Sequence, residues 1–288
     1  MPPPGRPPRS AHPRANRPGP APVRSAPARD AAPPPREADE SRKLFRVAGL
    51  SAVSALFAHD PARVERLFFD ERLKPAVGAF CKAMAAARKP YRMVEAEELA
   101  KVAGTVLHGG VVALMAPRAV PAFDGDAARR WSEPLLILDG VGNPHNLGAI
   151  LRTAAFFGLP RVLLSDHPGQ ALPSEAAYRV AEGGFEWVEL FKADHLPLAL
   201  KRLRATHRVV GTALDPKRPT IDVSGLSATD RDRRPLAVVL GNEEDGAPPA
   251  TLAACEALLT IPGGGRVQSL NVAATAAILI HALAVTPR

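Results

Sequence analysis

Residues with chemical potential gather in four polar loops of an otherwise apolar chain: "DGVGNPHN" (139–146), "GTALD" (211–215), "GNEEDGAPP" (241–249) and "IPGGGRVQSLN" (261–271). The first runs straight into "LGAILRTAAFFGL" (147–159), whose single charged residue is Arg152. On a helical wheel Leu147, Ile150, Leu151, Ala154 and Gly158 form one stripe, and Arg152 falls well away from it. Its planar guanidinium is either solvated or turned toward a phosphate or a neighbouring subunit, for which a fork of N–H donors is suited. Spacing leaves both open. Other chemistries lack their residues: there is no GxGxxG after the first strand of this block and no GxxxxGK[ST]. Nor is there an HxxxH or HExxH pair for a metal, or a GxSxG elbow.

The elements that must carry these loops alternate. Over 134–285 the chain reads strand "PLLILDG", helix 146–158, strand "RVLLSD", helix "SEAAYRVAEGG" and strand "EWVELF". It continues with helix "HLPLALKRLRAT", strands "RVVGTAL", "PLAVVLGNE" and "LLTIP", and a terminal helix "SLNVAATAAILIHALA". Such alternation implies an α/β fold with a mostly parallel sheet and ligand sites at the carboxyl ends of its strands. A first block, 44–117, reads as a smaller α/β unit. Within it "RVAGLSAVSALF" is a turn into a helix, "RVERLFFDE" is β-rich, "PAVGAFCKAMAAARKP" is a helix, "YRMVEAEELAKVAG" is strand then helix, and "GGVVALMAP" is a strand. Residues 118–133 lose periodicity and read as a linker.

Residues 1–43 hold thirteen prolines and nine basic residues against four acids, and so carry +5 of the net +8. With almost no large apolar side chain they cannot offset ordering entropy, and disorder is expected. The net charge of +8 invites a polyanion as partner, but the remaining 245 residues are nearly balanced, so any basic face for it there must be local. No signal-peptide h-region is seen, and the most apolar window is interrupted by His281 and shorter than the ~20 residues a bilayer requires. Cys81 and Cys255 have no metal spacing and suggest a reducing, cytoplasmic setting without membrane or metal.

"NPHNLGAILRTAAFFG", "VLGNEEDGAP" and "IPGGGRVQSLNVAATAAILIHAL" resemble, in order and spacing, the three signature motifs of the SpoU (TrmH-like) RNA ribose 2'-O-methyltransferases of the SPOUT superfamily. The resemblance covers about 134–285. Residues 44–117 more loosely resemble the ribosomal-protein-like substrate-binding domain that precedes many such enzymes. The resemblance implies a trefoil-knotted methyltransferase domain over 134–288, although threaded chains are exceptions among folds. It further implies S-adenosylmethionine as cofactor, a homodimer, and transfer of a methyl group to a ribose 2'-hydroxyl in rRNA or tRNA. A non-catalytic RNA-binding dimer on the same fold is the alternative, and methylation of a base nitrogen a weaker third.

Carried over residue by residue, Asn146 and Arg152 match motif one, Glu243 motif two, and Ser269 and Asn271 motif three. Each has a structural reading beside it: Asn146 and Ser269 as helix N-caps, Asn271 in the first turn of the last helix, Glu243 in a solvated acidic turn. Around the cofactor the resemblance points to Thr212, Ala213, Leu214, Gly241, Asn242, Ile261, Gly265 and Leu270, where small residues let the backbone approach closely. Motif two departs from the family pattern, in which many relatives carry a third glycine: "GNEEDG" places extra acids near a site that must accept RNA.

Overall fold

The computed structural model describes Met1 and residues 44–213, 220–223, 234–242, 244–264, 266–267 and 269–285. The proline-rich tail lies outside the described residues. Two sheets organise the rest.

The smaller sheet comprises β1 (Phe45–Ala48), β2 (Val64–Phe69), β3 (Tyr91–Met93) and β4 (Val111–Met115), in the order β1-β4-β2-β3. β4 pairs antiparallel with both β1 and β2, and β3 adds parallel to β2. Helices α1 (Leu50–His59), α2 (Gly78–Ala86) and α3 (Ala96–Ala103) cover it. β1 corrects the sequence reading, which put a turn at Arg46–Gly49. A four-residue strand is too short to show its period of two, and its partner β4 lies more than sixty residues on.

The larger sheet is wholly parallel among the described strands, in the order β7-β6-β5-β10-β8-β11-β9. It contains β5 (Leu135–Leu138), β6 (Arg161–Leu164), β7 (Glu189–Lys192), β8 (Arg208–Thr212), β9 (Thr220–Asp222), β10 (Leu236–Leu240) and β11 (Ala257–Thr260). The fully buried run "LLIL" of β5 is what a strand covered on both faces requires. Its helices are α4 (Pro144–Phe156), α5 (Glu175–Ala181), α6 (Gly184–Trp187), α7 (Leu196–Leu203), α8 (Pro249–Ala254) and α9 (Val272–Val285). "EWVELF" therefore begins in α6 and becomes β7 only at Glu189. Residues 118–133 are seated on β7: Ala122 bridges Lys192, and Phe123 and Trp131 pack on the core beneath.

One buried cluster runs from the small sheet into the large one, uniting Val47, Leu56 and Met115 with Leu136, Ile150, Phe185 and Leu279. At the junction Arg63 is nearly enclosed. Its guanidinium donates to both Glu186 carboxylate oxygens (3.3 and 3.1 Å), to the Tyr178 hydroxyl (3.1 Å) and to the Ala116 carbonyl (3.3 Å). Burial alone would lower the Arg63 pKa, but its interactions with Tyr178 and the Glu186 carboxylate outweigh burial and raise it. Burial and the Glu186 carboxylate push the Tyr178 phenol up to about 12. The Arg118 guanidinium adds a bond to the Phe185 carbonyl.

Candidate functional site

β5, β10, β8 and β11 lie side by side and point the same way. The four polar loops thus leave neighbouring strands at one edge of the sheet. This is where an open α/β sheet places its ligands.

The loop after β5 is stitched down from two sides. Gln170 accepts from the Gly140 and Val141 amides (3.0 and 3.2 Å) and donates to the Val141 carbonyl (3.2 Å). Asn242, at the end of β10, donates to the Gly140 carbonyl (3.0 Å) and accepts from the Glu244 amide (2.7 Å), so one side chain joins motif one to motif two. Gly241 beside it must be glycine: a Cβ there would sit 2.1 Å from the Ala247 nitrogen. Asp139 is buried and accepts from the Thr251 hydroxyl (2.7 Å).

Helix α4 starts earlier than its sequence suggested. Asn143 is the N-cap, its side chain accepting from the His145 amide (2.8 Å), and Pro144 occupies the first helical position. The Asn-Pro pair is the signal that locates this start, since proline at N1 gives up an N–H that has no intrahelical partner anyway. Asn146 is consequently inside the helix and is not its cap. Its Oδ1 instead accepts from Nδ2 of Asn271 (3.2 Å), 125 residues away. Asn271 in turn stands just ahead of α9 and caps it, Oδ1 accepting from the Ala273 amide (2.9 Å). The capping role assigned to Ser269 therefore belongs to Asn271, which precedes the helix and is not in its first turn. Ser269 and Leu270 are exposed immediately before it.

Arg152 is exposed, off the buried stripe of Leu147, Ile150, Leu151 and Ala154, as the wheel indicates, whereas Gly158, placed on that stripe by the wheel, lies past the end of α4 and is exposed. Six residues of helix leave Arg152 about 120° round α4 from Asn146. It does not join the Asn146–Asn271 pair but forms an ion pair with Glu182 (2.9 Å), a partner that nothing in the sequence flagged.

Glu243, Leu214 and Gly265 lie outside the described residues. Of the other residues expected around the cofactor, Thr212 ends β8 and Ala213 follows it, Gly241 and Asn242 follow β10, and Ile261 follows β11. The Thr212 hydroxyl is bonded to the Val239 carbonyl (3.0 Å) and the Ala213 amide reaches Leu259 (3.4 Å), so what these positions present is backbone and small side chains. Open space lies over Gly263 and Gly264, and Leu270 exposes an apolar face. These features fit an adenosyl ligand read through backbone groups. A pocket of about 250 Å³ lined by Asp139, His167, Asn242, Asp245 and Pro248 shares only Asn242 with that set. Among the described residues no group of His, Cys, Asp or Glu is placed to hold a metal ion, and no helix is long and apolar enough to cross a membrane.

Residues 133–281 match the SpoU rRNA Methylase family, and residues 46–121 match the family described as RNA 2'-O ribose methyltransferase substrate binding. The chain is 34% identical over 242 residues to YfiF of Escherichia coli O157:H7, an uncharacterized tRNA/rRNA methyltransferase, covering 82% of this chain and 66% of the relative. It spans about half, 52%, of a similar Haemophilus influenzae protein. With the 23S rRNA (guanosine-2'-O-)-methyltransferase RlmB of Acinetobacter baylyi it shares 32% identity over 243 residues, 81% of this chain and 94% of that one. A solved TrmH-family structure from Porphyromonas gingivalis superposes with a TM-score of 0.65 at 26% identity, over 83% of this chain and 89% of its own. The match over more than half of the sequence shows one family: the chain belongs to the SpoU rRNA methylases.

Proposed function

We propose that the chain is an S-adenosylmethionine-dependent RNA methyltransferase acting on a ribose 2'-hydroxyl, with large-subunit ribosomal RNA as substrate in preference to tRNA. The observation that carries the reading is the Asn271–Asn146 hydrogen bond, which joins the starts of α9 and α4 at the edge where the polar loops converge. The RlmB relatives, matched over most of their own length, favour ribosomal RNA.

S-adenosylmethionine, when bound, supplies a methyl group that is already electrophilic. The protein must then set a ribose hydroxyl in line with it and stabilise the charge that develops on the oxygen. Arg152 supplies a permanent positive charge for a phosphate or 2'-oxygen, and a guanidinium is too weak an acid to serve as the proton acceptor. Asn146, Ser269 and Asn271 orient the acceptor nucleotide and its loop, and Glu243 fixes the backbone of motif two. Thr212, Ala213, Leu214, Gly241, Asn242, Ile261, Gly265 and Leu270 hold the adenosyl portion through backbone contacts.

Residues 44–117 form the RNA-binding domain, 118–133 the linker and 134–288 the methyltransferase domain. The trefoil knot belongs to this reading, supported by the packing of α9 against the α4 side of the sheet. So does the homodimer, supported by Phe156 on α4, 82% exposed, and Ile278 on α9, 38% exposed. The basic tail adds salt-sensitive, sequence-independent affinity.

The test is transfer of labelled methyl to unmodified ribosomal RNA and to tRNA, with wild type and Arg152→Ala in parallel. Label in ribosomal RNA that resists alkaline cleavage at one site, and is lost in the variant, is the expected result. RNA binding without label in either RNA would replace the enzyme with a non-catalytic RNA-binding dimer.

A further inference from the structure

Between α5 and α6 the chain makes a turn of unusual geometry. Glu182 adopts a left-handed conformation (φ 44°), one of two described non-glycine residues with positive φ. A side chain there is disfavoured, by about 1–3 kcal/mol for such outliers, and it persists only where its surroundings impose it. They do so from both sides. At Gly184 a Cβ would lie 2.7 Å from the Leu151 carbonyl and 2.9 Å from the Arg152 nitrogen, so the turn rests directly on the α4 backbone at the arginine. At Gly183 a Cβ would lie 2.8 Å from that of Ala55, so α1 of the small sheet closes the other side. What this clamped turn presents is the Glu182 carboxylate, 2.9 Å from the Arg152 guanidinium.

We propose that Glu182 is a built-in competitor for the RNA phosphate at Arg152, a specificity-determining residue that raises the threshold for productive RNA binding. The inference rests on the reading of Arg152 as the residue that engages RNA. One guanidinium face cannot serve two oxyanions in full. Both members of the pair are about half exposed, 57% and 51%, so their attraction is screened and the carboxylate is held by the turn more than by the ion pair. A phosphate of the correct substrate, fixed by other contacts, displaces it. A loosely held one does not. The carboxylate therefore discriminates against weakly docked RNA.

The test is a double-mutant cycle on RNA affinity, using the full chain and a fragment of unmodified 23S ribosomal RNA at low salt. Glu182→Gln keeps the shape and removes the charge. It is expected to tighten binding roughly two- to fivefold, the span of an exposed ion pair, when Arg152 is present. In the Arg152→Ala background the same change should have almost no effect. Equal tightening in both backgrounds would mean general charge repulsion and would overturn the proposal, as would unchanged or weaker binding in Glu182→Gln with an unaltered unfolding midpoint. Affinity is read without methyl transfer. A cycle that couples in a chain unable to methylate would remove the enzymatic reading and keep the competitor, whereas methylation without coupling would do the reverse.

Discussion

Two glutamates four residues apart, Glu182 and Glu186, each pair with an arginine, and the two pairs behave as different physical objects. Glu186 is 4% exposed and meets Arg63, 13% exposed, across the junction of the two sheets, where Tyr178 and the Ala116 carbonyl occupy further guanidinium donors. Glu182 and Arg152 stand half in water. Removing one member of the buried pair leaves an uncompensated charge in a poorly solvated place, while breaking the exposed pair returns both charges to solvent. The buried pair fixes how the small sheet sits on α5 and α6. The exposed pair leaves its arginine exchangeable, as the role proposed for Arg152 at a transient ligand requires.

The largest expected effect tests that contrast directly. Glu186→Ala should destabilise the fold by about 3–5 kcal/mol in urea unfolding, because Arg63 is stranded. A loss below about 1 kcal/mol would mean that the junction is hydrated and that the two pairs are alike. Arg152→Ala should do the opposite: stability unchanged within about 0.5 kcal/mol, methyl transfer reduced about 10²–10³-fold. Comparable losses of folding and activity would place Arg152 in the architecture.

The junction also carries a pH signature. With the Tyr178 phenol pushed up to about 12 in the fold against an ordinary 10, the unfolded chain releases its proton first as pH rises. The contribution is complete below about pH 10 and is lost as pH climbs toward about 12, on the order of 2 kcal/mol in all. Urea midpoints measured across that window should fall in wild type and fall less steeply in Tyr178→Phe, and identical slopes would remove the phenol from the account. The smallest effect concerns the asparagine bridge. Asn271→Ala should cost about 1 kcal/mol by uncapping α9, whereas Asn146→Ala leaves both caps in place and should cost less. The reverse order would show that the bridge, and not the cap, holds α9.

Much of this was legible in residue order. The period of the apolar residues in 134–285 announced a parallel α/β sheet, and β5, β6, β8, β10 and β11 lie where those runs stand. The four polar loops emerge at adjacent strand ends. What was misread was local geometry governed by neighbours. A cap at the motif asparagine, Asn146, lies three residues inside α4, because the Asn143-Pro144 pair and not the motif residue carries the capping signal. β1 exists through pairing with β4, α6 is a single turn held under α1, and Gln170, which anchors the motif-one loop, sits in a stretch without periodicity.

By itself, then, the sequence determined the fold class, the strand ends that bear chemistry and the displacement of Arg152 from its helix's core stripe, because these depend on local periodicity and turn chemistry. Only the tertiary structure decided that Asn146 meets Asn271, that Arg63 is enclosed with Glu186 and Tyr178, and that Arg152 faces Glu182. Those contacts join residues 30 to 125 positions apart through backbone geometry, a left-handed turn among them, and no spacing along the chain encodes where distant elements come to rest.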